Sequence, residues 1–247
     1  MSNRWPQGGV AAISLTFDGA SRSHLEACAK LGGLELRATV YADPVNLLAD
    51  PRGWRRSHDV GHEIGGHPFF SLADSDGLIA RLSSEAIEAE IEDCRRLLVD
   101  EFGVTDHSVA FPLVRTLPDE SGMPAVPEIV HRTIVRMNEE AVGSSLRARY
   151  DVVRTPLGRF NESETDLRNL RCCRVDELDA VTIGLIAQVA ISKGDWAILS
   201  WGPEPNMETV AQVSRWLHRQ PIWVAPVIEV ARHLRESSPN SPTFQPL

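Results

Sequence analysis

Three stretches of this 247-residue chain end in groups that can do chemistry. The first is the apolar run Ala11 to Phe17, closed by Asp18 and then by the small pair Gly19-Ala20. A strand that stops this way opens at its carboxyl end onto a crevice. The second is Gly61-His62-Glu63-Ile64-Gly65-Gly66-His67, where two imidazoles and a carboxylate punctuate a very short strand. The third is Ala197-Ile198-Leu199-Ser200-Trp201-Gly202, followed by Glu204 between two prolines. A carboxylate and an imidazole held at one rim can pass a proton, bind a metal or activate water. The alternatives are plain: Asp18 as a helix cap, Glu204 as an exposed loop acid, Trp201 as a core plug rather than a wall for a planar ligand. His24, six residues after Asp18, reads as a surface or helix-packing histidine.

These ends meet only if their strands run parallel, and the rest of the chain supplies that arrangement. Short apolar runs alternate with helix-period segments, the pattern of βα units. Helices are expected over 22–31, 83–101, 178–192, 210–218 and 227–235, and strands over 35–41, as a very short one within 59–66, at 109–111, 196–201 and 222–225. In the segment 83–101 one stripe is apolar (Ile87, Ile91, Cys94, Leu97, Leu98), acids come early and Arg95-Arg96 late, as the helix dipole prefers. The run 180–191 reads as a core helix. The segment 44–57 is expected to wrap the outside, and 118–177 yields only a short helix near 126–131 and polar loops around 161–169. A parallel barrel or barrel-like sheet fits this order, and it places the active groups at the carboxyl ends of the strands.

Composition narrows the partners. A net charge of -9 argues against a nucleic-acid or anionic-membrane partner, since phosphates would meet a repelling average surface. No run approaches the ~20 apolar residues of a membrane span. The amino terminus lacks the charged and then apolar segments of a secretory signal, so a cytoplasmic location is expected. Four cysteines without metal-finger spacing read as free thiols. One domain over 1–236 with a loosely held Ser/Pro-rich tail over 237–247 is the expected organisation, with oligomeric state open.

Several segments, in order, resemble the polysaccharide deacetylases, the NodB-homology group that forms carbohydrate esterase family 4. They are Trp5-Pro6, Ile13 to Asp18, Arg37 to Tyr41, Gly61 to His67, Ala86 to Ile91, Phe111-Pro112 and Ile222 to Val224. The resemblance implies an α/β fold, the distorted (β/α)7 barrel. It also implies a divalent metal, zinc as the family norm, held by one aspartate and two histidines, with a second aspartate as base and a late-strand histidine as acid. Position by position, Asp18 matches the base and His67 the first histidine ligand. Gly19 stands where the metal-binding aspartate belongs, Ser71 where the second histidine belongs, and the late strand carries no histidine. Arg115 follows Phe111-Pro112 where an open substrate groove is expected. Asp18 and His67 are therefore the candidate catalytic pair, Arg115, Trp201 and Glu204 the candidate substrate contacts, and no metal or other cofactor is expected. The implied function is a deacetylase-like barrel that has lost metal-dependent amide hydrolysis and binds a small-molecule or carbohydrate ligand or a partner. Two alternatives stand beside it: a metal-independent hydrolase of a cyclic amide or ureide using Asp18 and His67, and an active zinc deacetylase.

Overall fold

The computed structural model describes residues 5–68, 82–103, 106–111, 128–155, 158, 160–162 and 164–237. In chain order the strands are β1 (Ala12–Asp18), β2 (Thr39–Ala42), β3 (Glu63–Gly66), β4 (Val109–Ala110), β5 (Val153–Arg154), β6 (Cys173–Arg174), β7 (Trp196–Trp201) and β8 (Trp223–Val224). The helices are α1 (Arg22–Gly32), α2 (Pro44–Ala49), α3 (Pro51–Asp59), α4 (Ser84–Phe102), α5 (Glu128–Arg149), α6 (Ala180–Lys193), α7 (Met207–Leu217) and α8 (Val227–Ser237). Every strand pairing is parallel, in the order β5-β4-β3-β2-β1-β7-β6, with β8 against the start of β1. Seven strands on a continuous path with helices outside make the distorted (β/α)7 barrel. Leu170 donates its N–H to Val153 and accepts from Thr155, so the segment that leads into β6 also ties onto β5 and curls the sheet toward closure.

β1 is buried along its whole length, and its alternation sets the layout. Ile13, Leu15 and Phe17 pack outward with Ala27 and Leu31 of α1, Ile183 and Ala187 of α6, and Val210 and Val213 of α7. Successive side chains point to opposite faces, so Ser14, Thr16 and Asp18 turn inward. Inside, the Trp196 indole donates to Ser14 Oγ at 3.0 Å, and Ser14 donates to the Ala225 carbonyl at 2.8 Å. The interior of this barrel is thus partly polar and hydrogen-bonded.

α4 forms as its pattern requires. Ser83 caps it, Gly103 ends it with a positive φ of 66°, and Ile87, Ile91, Cys94 and Leu98 are buried. Leu97 is only half-buried, on the edge of the stripe. α6 also differs from expectation: Ile183, Ala187 and Ala190 face the core, whereas Val181, Leu185 and Val189 are exposed, so it is a covering helix. The segment 44–57 wraps the outside as α2 and α3, each started by an aspartate, Asp43 or Asp50, that accepts a backbone N–H. The strand expected over 35–41 begins only at Thr39. In the segment 118–177, the helix expected near 126–131 is α5, which runs on to Arg149, and the two-residue β5 and β6 are elements that the sequence pattern does not announce. Most of the expected tail lies outside the described residues.

Candidate active site

The rim at the carboxyl ends of the strands brings Asp18 and His67 to one side of the molecule, with β2 between their strands. Between them, however, stands a residue that the sequence pattern does not single out. Arg154, the last residue of β5, is 2% exposed and points into the barrel. Its Nη2 bridges both Asp18 oxygens, at 2.7 Å to Oδ1 and 2.8 Å to Oδ2. Nη1 donates to Ser200 Oγ at 2.9 Å and to Cys172 Sγ at 3.2 Å, and the guanidinium carbon lies 4.8 Å from the centroid of the Tyr41 ring. Burial opposes the guanidinium charge, but Asp18, Cys172 and Tyr41 outweigh it and hold Arg154 firmly protonated. Ser200 Oγ also lies 3.4 Å from Asp18 Oδ2. A buried ion pair of this kind is tolerated because the cation has further partners.

This pair belongs to a polar column that runs through the barrel. Below Tyr41, the Ser108 hydroxyl is 3.0 Å from the phenol oxygen and donates to Glu63 Oε1 at 2.6 Å. Glu63 also accepts from Ser108 N at 2.8 Å, Thr39 Oγ1 at 2.7 Å and Ile228 N at 3.0 Å. Burial pushes the Tyr41 phenol up, so it stays neutral. Gly65 makes the column possible: a Cβ there would lie 2.7 Å from the Ser108 carbonyl and 2.9 Å from the Tyr41 ring.

His67 is half-buried, and its Nδ1 has no hydrogen-bond partner among the described residues. Burial lowers its pKa, with Arg154 adding to the effect against the opposing pull of Asp18 and Asp43. The imidazole is neutral at neutral pH and makes no bond to Asp18. Gly19 has φ 107°, a region that side chains avoid, and a Cβ there would face Asp43 Oδ2 and Pro203, each at 3.8 Å. Its carbonyl accepts from Asn46 Nδ2 at 2.6 Å, and its N–H donates to the Tyr41 carbonyl.

The remaining expectations sort by strand parity. Ser200 faces inward, so its neighbour Trp201 faces the helices, where it is 1% exposed and stacked on Phe17 with centroids 5.5 Å apart. It is a core plug and not a wall of the rim. Glu204 is an exposed loop acid whose charge acts on His24. His24 is fully buried, accepting from Ser21 N at Nδ1 (3.1 Å) and lying 2.9 Å from the Gly202 carbonyl at Nε2. It staples α1 to the end of β7 and is no surface residue. Ser71 and Arg115 lie outside the described residues.

The fit of a metal follows from these positions. The three-ligand set that zinc catalysis uses would need Gly19 and position 71 beside His67. Gly19 offers no donor, and among the described residues no group of three His, Cys, Asp or Glu side chains is placed to hold an ion. The described residues do not fit the metal. Arg154 already supplies the cation that Asp18 faces.

No protein-family model and no curated protein matches this sequence. Solved structures do. The chain is similar to the Xyl-CE4 domain of a multidomain xylanase from the hindgut metagenome of Trinervitermes trinervoides, with a TM-score of 0.59 and 16% identity over 93% of each chain. It is similar to a family 4 acetyl xylan esterase from Clostridium thermocellum in complex with a cobalt ion, with a TM-score of 0.55 and 18% identity over 92% of this chain and 93% of that one. It is also similar to BA3943, a CE4 family pseudoenzyme from Bacillus anthracis, with a TM-score of 0.52 and 15% identity over 88% of this chain and 64% of that one. The fold is that of the polysaccharide deacetylases.

Proposed function

We propose that this chain is a divergent polysaccharide-deacetylase barrel that has lost metal-dependent amide hydrolysis and serves as a ligand- or partner-binding scaffold. The observation that carries the reading is the bridge from Arg154 to both oxygens of Asp18. A general base needs a lone pair directed at water, and the bridge takes one lone pair of each Asp18 oxygen. Gly19 removes the anionic ligand beside it. That a pseudoenzyme is found on this fold supports the reading. Small-molecule or carbohydrate ligands are the class that such a rim would take.

The test is acetate release from N-acetylglucosamine oligomers and acetylated xylo-oligomers, with zinc or cobalt added. No release above the protein-free control is expected. Metal-stimulated release that disappears in Asp18→Asn overturns the proposal.

A second reading rests on His67. A neutral imidazole whose Nδ1 has no partner among the described residues, close enough to Asp18 to feel its charge, is equipped to take a proton from water without a metal. Under that reading the chain hydrolyses a small cyclic amide or ureide, and the activity is lost in His67→Gln and insensitive to chelators.

A further inference from the structure

The amino ends of β2 and β3, at the opposite pole from Asp18, carry a second candidate site. A groove of about 540 Å³ lies between α1 and α3, lined by Leu25, Cys28 and Ala29 of α1, Arg56 and Ser57 of α3, Val60, Arg37 and His62. That volume falls within the range that holds a small organic molecule.

Its polar groups are of one kind. No carboxylate lines the groove. Among the described residues neither Arg37 nor Arg56 has a carboxylate within salt-bridge distance, whereas the neighbouring Arg55 pairs with Glu101 at 2.8 Å. Arg37 uses Nη1 on the Leu36 carbonyl at 3.0 Å and lies along Gly61, which leaves most of its fork unspent. Glu229, which feels the Arg37 charge, lines the separate cleft on the other face of His62.

Behind the cations are two buried donors. Ser57 is 7% exposed, and its Oγ makes no hydrogen bond of ordinary geometry, although it sits close enough to Cys28 to influence the thiol. His62 is 2% exposed and accepts from Ala38 N at Nδ1 (3.1 Å), so the proton of the neutral ring is on Nε2. That Nε2 makes no hydrogen bond of ordinary geometry among the described residues, although the Cys28 backbone carbonyl lies close enough to act on the ring. Buried donors whose nearest acceptors are poorly aligned are costly, and such atoms in a folded protein call for an explanation.

We infer that the α1–α3 groove binds a small organic anion, a phosphate or carboxylate on an apolar body. Its charge lies against Arg37 and Arg56 with Ser57 and His62 behind, and its body against Leu25, Ala29 and Val60. Guanidinium forks recognise both anion types, and the apolar wall separates an organic ligand from bare phosphate. The site shares no residue with the Asp18 rim and stands or falls independently of the proposed function.

Phenyl phosphate is the probe, titrated into the intact protein by calorimetry, with phenol as its uncharged counterpart and inorganic phosphate as its headgroup alone. Saturable binding of phenyl phosphate is expected, weaker binding of inorganic phosphate and none of phenol. Arg37→Gln with Arg56→Gln should weaken phenyl phosphate about tenfold or more. Since Arg37 packs on Gly61, the exposed single variant Arg56→Glu guards against misfolding and should weaken binding in the same direction. In parallel, NMR should locate the largest shifts at Ser57 and the His62 ring. Phenol binding as tightly as phenyl phosphate, undiminished binding in Arg56→Glu, shifts at the Asp18 rim alone, or no saturable binding each overturn the inference.

Discussion

The two ends of the barrel's polar column solve one problem differently. At the bottom, Glu63 is neutralised by dipoles: two backbone N–H groups and two hydroxyls, contributed by β2, the turn before β4 and the start of α8. At the top, Asp18 is neutralised by a full charge, Arg154, which brings Ser200 and Cys172 with it. Dipoles from three elements make Glu63 a structural tie. A buried guanidinium on a strand end gives Asp18 a fixed counter-charge at the rim formed by the carboxyl ends of the strands. A buried carboxylate is held by dipoles at one pole and by a full opposite charge at the other.

Breaking the upper pair should have the largest effect. Arg154→Leu leaves Asp18 buried and unpaired and is expected to cost about 3–5 kcal/mol, measured by urea unfolding. Adding Asp18→Leu should recover most of that loss, since an apolar pair of similar volume replaces a buried ion pair well. A single variant as stable as the parent would mean that the bridge contributes nothing to the fold.

Next in size is the acid limb set by His62. Burial and then Arg37 push its pKa down to about 4, against an ordinary value of 6.5. The unfolded chain therefore binds a proton that the native state refuses. Stability should be intact above pH 6.5 and fall as pH drops from there toward about 4. At about 1.4 kcal/mol for each tenfold change in proton affinity, the loss is about 3 kcal/mol. His24 and His67, whose pKa values burial also lowers, add to the same limb. His62→Asn, which keeps an acceptor for Ala38 N, should flatten the slope between pH 6.5 and 4 by about one proton; an unchanged slope would show that His62 is already solvated.

Glu63→Gln sharpens the contrast at the lower pole. It replaces one acceptor by a donor among donors and should cost about 1–3 kcal/mol, read from the shift in unfolding midpoint. A loss equal to that of Arg154→Leu would erase the distinction between charge and dipole neutralisation. Smallest is Gly19→Ala, expected to cost about 1 kcal/mol because φ is 107°. The same strain would oppose Gly19→Asp, so restoring the missing ligand is harder here than residue matching implies.

Much of this is legible in the sequence, in proportion to element length. The seven residues of β1 and the nineteen of α4 carry enough period to announce themselves, and Asp18 and His67 stand at marked strand ends. Trp201 is hard to place from sequence because a strand's end does not reveal its parity: only the pairing of Phe17 with Trp201 fixes which side faces the helices. Arg154 escapes notice because β5 is two residues long and has no period to read. One signal is available. Val152-Val153 ended by Arg154 is an apolar run closed by a charge, the same punctuation that marks Asp18. The groove donors Ser57 and His62 are brought together by the turn that ends α3, where His62 N donates to the Ser57 carbonyl at 3.2 Å, but only the packing of α1 beside α3 makes a groove of them.

The proposal that this barrel works without a catalytic metal, with Asp18 facing the Arg154 guanidinium, is tested most directly by calorimetric titration of the intact protein with zinc. The account predicts no stoichiometric high-affinity site and the same weak heat in His67→Gln as in the parent. One tightly bound zinc per chain, lost on replacement of His67 and competing with the Arg154 contact to Asp18, would contradict it.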